Sequence, residues 1–224
     1  MLPAIAELCA KTENAGTDLA LPLFRALALA RLAGIWPKQV PEEERVDATI
    51  FSSRGWQTAA NNAAAHAAGL AAGNAANTAG CMNTDGYAAR ARDTLAWART
   101  AIATVAGPAG NAAAAALLNE VKHDAARIEA GDTWLVLPLW QSSDPSTLSM
   151  RNGSRDLWRH LQKARSENWL VWQSWYDGIF RGDPPDLYRE RCYVFLENAA
   201  WEDGPIAVNA DIEAQVGRPE VRVV

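Results

Sequence analysis

The apolar positions recur mainly at helical intervals. Leu19, Leu23, Leu27 and Ala30, with Phe24 and Leu32, cover more than half of the circumference of a helix predicted over 18–36. Thr17 or Asp18 caps it, and Arg25 and Arg31 are its only cations, so the helix is expected to be largely buried. A shorter helix over 3–13 precedes it, and Pro37 and Pro41 bracket a turn after it. Pro41-Glu-Glu-Glu44 starts another helix, with three acids at the positive end of its dipole. Further on, a helix from about Ser154 places Leu157, Trp158 and Leu161 on one face. The next, over 168–181, carries Trp169, Trp172 and Trp175 on neighbouring turns, with Tyr176 and Phe180. Gly182 and Pro184-Pro185 end it. A helix over 186–197, a turn over 198–205 and a last helix from Pro205 to about Val216 complete the C-terminal part. Asn209 falls one turn into that last helix, where it is placed to cap or brace the Trp helix. The tail Val221-Arg-Val-Val224 is either exposed or paired with something.

Between these parts the pattern changes. Over 59–80 an Ala-Ala pair recurs every four residues. Four residues overshoot a helical turn by about 40°, so the small surface winds slowly around the helix and leaves almost no bulky face. Such a helix is held by close approach of a neighbour, or the stretch is a low-complexity spacer. Helices over 86–106 and 109–130 continue the alanine bias, and Gly131 to Trp140, interrupted by Pro138, reads as an extended linker packed on the core. Ser142 to Gly153 is the best candidate boundary, giving an Ala-rich region over 1–141, a Trp-rich region over 142–217 packed with it as one domain, and a tail over 218–224. The expected fold is all-α: a multi-helix bundle with an Ala-rich close-packed layer and a Trp-rich C-terminal core.

Composition narrows the function. With 224 residues the chain is long enough to bury a core. Valine and isoleucine never form an alternating run, which speaks against strands. The net charge of −5 argues against a nucleic-acid partner. No uncharged apolar run reaches membrane-spanning length, and the N-terminus lacks the basic start of a signal peptide, so no membrane and a cytoplasmic location are expected. Cys9, Cys81 and Cys192 are too scattered for a disulfide framework or a metal knuckle and read as reduced thiols.

The chemistry-bearing residues are sparse. His66, His123 and His160 have no ligand-type partner three or four residues away, so neither metal nor cofactor is expected. No nucleophile elbow or phosphate-binding loop is present in the sequence. Asp177 and Arg181 are spaced for a salt bridge one helical turn apart. Glu202 and Asp203 sit before Gly204-Pro205, either as acids at a helix start or as an acidic rim beside an aromatic pocket. Ten tryptophans are the main signal. They build the core, anchor a partner or cage a cation. As a recognition surface, the candidate partner-binding residues are Trp172, Trp175, Tyr176, Arg181, Glu202 and Asp203. Because the Ala-rich helices lack bulk, Trp169, Trp172 and Trp175 are expected to be mostly buried, with any binding at the edge around Tyr176 and Arg181.

Trp169-x-x-Trp172-x-x-Trp175-Tyr176, then Gly182, then Trp201-Glu-Asp-Gly-Pro-Ile-Ala-Val-Asn209 resembles a signature of a family of uncharacterised bacterial helical proteins. Members also carry an Ala-rich stretch, an Asp-x-x-x-x-Glu-x-Gly element (here Asp124 to Gly131) and a Pro-Leu-Trp element (here Pro138-Leu-Trp140). The resemblance covers roughly 85–215, and 20–80 more loosely. It implies no activity; some longer members place this region before other segments, which suits an accessory or adaptor module. The leading expectation is therefore a non-enzymatic protein-binding or regulatory module, with another protein or a second copy as partner. The alternatives are an enzyme whose polar site is assembled from distant helices, with His123, Asp124, Glu202 and Asp203 as candidates, and a purely structural helical spacer.

Overall fold

The computed structural model describes residues 20–41, 155–163 and 167–217, together with single helical positions between 93 and 126. Among them there is no strand, and the architecture is all-α. The helices are α1 (Leu21–Ile35), α2 (described over 155–161), α3 (Leu170–Arg181), α4 (Leu187–Cys192), α5 (Asn198–Asp203) and α6 (Pro205–Val216). A 3-10 turn, Pro37–Gln39, follows α1 where Pro37 ends the apolar run. Among the described residues no helix is long and apolar enough to cross a membrane.

Helix α1 starts with Pro22 in its first turn, where a missing N–H leaves no bond unmade. It buries residues on almost every side: Leu21, Leu23, Phe24, Ala26, Ala28, Leu29, Leu32 and Ala33 are all in the core. A helix apolar all round belongs inside a bundle rather than on its surface, and α1 is the inner helix here. The capping residues expected for it, Thr17 and Asp18, lie outside the described residues, as do the helices over 3–13 and 59–80, the linker over 131–140, the boundary over 142–153 and the tail over 218–224. Positions 93, 94, 96, 98 and 100, and 115, 119, 122 and 126, are helical, within the two helices expected over 86–106 and 109–130.

Helix α3 is amphipathic. Trp172, Trp175, Tyr176 and Gly178 face inward, while Leu170 and Arg181 face out. Its end is a Schellman turn: Gly182 adopts φ 76°, its N–H donates to the Ile179 carbonyl at 3.1 Å, and the Asp183 N–H reaches the Gly178 carbonyl at 2.9 Å. Pro184 and Pro185 then hold the chain extended until Asp186, whose carboxylate caps α4 by accepting from the Arg189 N–H at 2.9 Å.

Two local expectations are corrected. The helix predicted over 186–197 stops at Cys192, and Tyr193 and Val194 turn instead. The turn lets Tyr193 and Val194 point into the core together; the Tyr193 hydroxyl donates to the Val171 carbonyl on α3 at 3.0 Å. The turn predicted over 198–205 is largely helix α5. Its Ala199-Ala200 pair favours helix, and Trp201 is buried beneath Arg25 of α1. Gly204 then breaks the chain at φ 88°, ψ −166°, and Pro205 opens α6.

Candidate functional site

Among the described residues Trp158, Trp169, Trp172 and Trp175 join one aromatic cluster, and its hub is Phe24 of α1. The Phe24 ring centroid lies 5.4 Å from Trp158, 5.8 Å from Trp169, 5.2 Å from Trp172 and 5.6 Å from Tyr176. Trp172 and Trp175 meet edge to face at 6.0 Å, and Tyr193 packs on both. These tilted and edge-on arrangements are the ones that ring quadrupoles favour.

Each indole N–H of the Trp helix finds an acceptor on another part of the chain or just before the helix. Trp169 donates to Glu167 at 2.6 Å, Trp172 to Asn209 of α6 at 2.8 Å, and Trp175 to Glu190 of α4 at 2.8 Å. Asn209 is fully buried, and its amide also donates to the Glu167 carbonyl, so it braces the start of α3 as its position suggested. Glu190 is buried too, and its other oxygen accepts from Arg31 of α1 at 2.8 Å. Arg25 of α1 lies 4.5 Å over the Trp201 ring and donates to Asn198 at 3.3 Å. The two cations of α1 therefore tie it to α4 and α5 rather than facing solvent.

This arrangement places Trp172, Trp175 and Tyr176 inside the molecule, so their rings offer no face to a partner unless the core opens. Burial pushes the Tyr176 phenol far above its ordinary range, and its hydroxyl has no hydrogen-bond partner among the described residues. Burial likewise pushes up Tyr193 and the Cys192 thiol, which donates to the Tyr188 carbonyl at 3.2 Å. Such a thiol is inert rather than nucleophilic. Glu202 and Asp203 are exposed at the end of α5, just before the N-terminus of α6.

Arg181 stands elsewhere, on the wall of an open groove of about 490 Å³ between α2 and α3. Arg155, Trp158, Arg159 and Gln162 line it from the α2 side, and Gln173, Asp177, Phe180 and Arg181 from α3. Gln162 donates to Gln173 across the gap. Arg159 pairs with Asp156 at 2.6 Å. Arg181 pairs with Asp183 at 2.6 Å, not with Asp177 as the spacing implied. The Schellman turn brings Asp183 back over the helix end, where its carboxylate meets the Arg181 guanidinium and stands 3.2 Å from where a Cβ on Gly178 would lie. The hydrogen bond from Arg181, and then its charge, hold the Asp183 carboxyl below the usual range, and Asp183 in turn raises Arg181.

Of the six expected partner-binding residues, only Arg181 lines this groove. Arg155, Arg159, Gln162 and Gln173 were not singled out from the sequence. The signal was there: 155, 159 and 162 share one face of α2, and 173, 177 and 180 one face of α3. Of the residues weighed for an enzymatic site, His123 and Asp124 lie outside the described residues, as does His66, weighed with His160 for a metal; His160 is half-buried on α2. Among the described residues no group of three or more His, Cys, Asp or Glu side chains is gathered as a metal ion would require. Comparison with known proteins finds no matching family model, no matching curated protein and no matching solved structure.

Proposed function

We propose that this chain is a non-enzymatic protein-binding module, an accessory or regulatory part of a bacterial system, working in the cytoplasm. The observation that carries this reading is the groove between α2 and α3. It is lined by the guanidinium groups of Arg155, Arg159 and Arg181, the carboxamides of Gln162 and Gln173, and Trp158 and Phe180, whose rings pack on Tyr176 of the core. Arginine and aromatic side chains on a rigid support are what interface hot spots are made of. The resemblance to uncharacterised bacterial proteins, some with further segments, supports an accessory role and the bacterial setting. The net charge of −5 supports a protein rather than a nucleic acid as partner.

The test is photo-crosslinking in native lysate, with the crosslinker placed at Gln173 in the groove or at Glu197 as an exposed control. The expected result is one protein, or a second copy of this chain, captured through position 173 and not 197, then reconstituted from purified components. A chain that captures nothing through 173 and sediments as a monomer overturns the reading.

A further inference from the structure

We infer that residues 218–224, which follow α6, dock as an extended segment in a second groove, between the start of α4 and the end of α6. This surface is separate from the groove between α2 and α3, and the inference does not depend on the binding-module reading.

The surface itself is the first reason. The groove is open, with a volume of about 780 Å³, and Pro185, Leu187, Tyr188, Cys192 and Phe195 line it together with Gln215 of α6. Tyr188 is 41% exposed and Val216 36%, two of the four large apolar side chains that stand exposed among the described residues. They come together here, because the Tyr188 hydroxyl donates at 3.2 Å to the Gln215 carbonyl, next to Val216. Apolar side chains gathered in one place mark a docking surface, whereas scattered ones need no partner.

The second reason is reach, and it selects the occupant. The chain leaves α6 at Gly217, two residues past Gln215. Residues 218–224 span about 23 Å when extended, and the whole of α4 is only about 9 Å long. The segment therefore crosses the groove with length to spare. Tethered so close, it meets the groove at an effective concentration on the order of millimolar. Weak contacts then suffice, whereas an untethered segment of equal affinity would have to reach that concentration in solution.

The third reason is the pattern of the segment. Pro219 has no backbone N–H with which to continue a helix, and it drives Arg218 before it towards extended backbone. Side chains of an extended chain alternate between two faces. Pro219, Val221 and Val223 then share one face, and Arg218, Glu220 and Arg222 the other. The apolar face matches the side chains of Leu187, Tyr188 and Phe195. The groove carries one charge of each sign, Asp186 and Arg191, and the segment also carries both, so charge does not oppose docking.

The test is a benzophenone photo-crosslinker at position 223 of the full chain, with the same group at position 206, exposed near the other end of α6, as the control. The chain is irradiated at low concentration and the adducts are mapped by peptide mass spectrometry. Position 223 is expected to give an adduct within 185–195 of the same chain, in at least fivefold the yield of position 206. Y188D, a change at an exposed side chain, is expected to lower that adduct at least threefold. If Y188D fails to fold by circular dichroism, V221D is read instead, with the same expected loss. Adducts from 223 spread over the surface like those from 206, adducts formed only between two chains, or a yield that the variant leaves unchanged each overturn the inference.

Discussion

Asn209 carries two hydrogen bonds with one short side chain, one buried and one half-buried. It accepts from the Trp172 indole and donates to the Glu167 carbonyl, so both halves of its amide are used. Replacing it with alanine strands the buried Trp172 indole N–H and leaves the half-buried Glu167 carbonyl without this donor. Asn209→Ala should cost about 2 kcal/mol, read as a lower urea midpoint with a red-shifted tryptophan emission. Tyr176 is the opposite case, a buried hydroxyl with no partner among the described residues. Tyr176→Phe should therefore stabilise the protein by up to about 1 kcal/mol at neutral pH; a loss of stability would mean the hydroxyl has a partner. Tyr176 and Tyr193 also set a pH limit. Burial raises both folded values above the ordinary 10.0. Below pH 10 both states are protonated and nothing is lost. Above it the unfolded chain ionises first, and stability falls by about 1.4 kcal/mol per pH unit for each tyrosine. Urea midpoints measured from pH 7 to 11 should be flat and then drop, and Tyr176→Phe should remove part of the drop.

At the scale of elements, the two glycines with positive φ among the described residues are not equivalent. Gly182 lies in the left-handed helical region, which other residues enter at modest cost. Gly204, at φ 88° and ψ −166°, lies where essentially only glycine is found. Gly182→Ala should cost about 1 kcal/mol, and Gly204→Ala about 2–3 kcal/mol. Thermal melts that rank the two the other way would show that the turn between α5 and α6 relaxes. The helix start at Pro205 and the stop at Gly182 were legible in the sequence, because proline and glycine act through their own backbone. The shortened α4 and the extra α5 were not. Their limits follow from Tyr193 reaching α3 and Trp201 lying under Arg25, contacts with partners more than twenty residues away.

For the whole molecule, Phe24 joins the first region to the last. Its ring touches two side chains of α3, together with Trp158 and Trp169, across more than a hundred residues of chain. Phe24→Ala should cost about 3–5 kcal/mol and should loosen the C-terminal helices as much as α1. Hydrogen exchange should show protection lost together in α1, α3 and α4; loss confined to α1 would show that the C-terminal helices form a core without it. Arg25 and Arg31 reinforce the join through Trp201 and Glu190.

The sequence by itself determined the all-α class, the burial of Trp169, Trp172 and Trp175, the inner position of α1 and the placing of Asn209 near the Trp helix. Helical periodicity and the absence of any alternating run are local properties, and they survive without knowledge of neighbours. Only the tertiary structure decided that Phe24 rather than a tryptophan is the hub, that the α1 arginines face inward, and that Arg181 turns to Asp183. It also decided that the polar stripes of α2 and α3 face one another as a groove. Each stripe is readable in the sequence, but which helix lies opposite depends on the packing of Trp158, Tyr176 and Phe24, and no spacing along the chain encodes that.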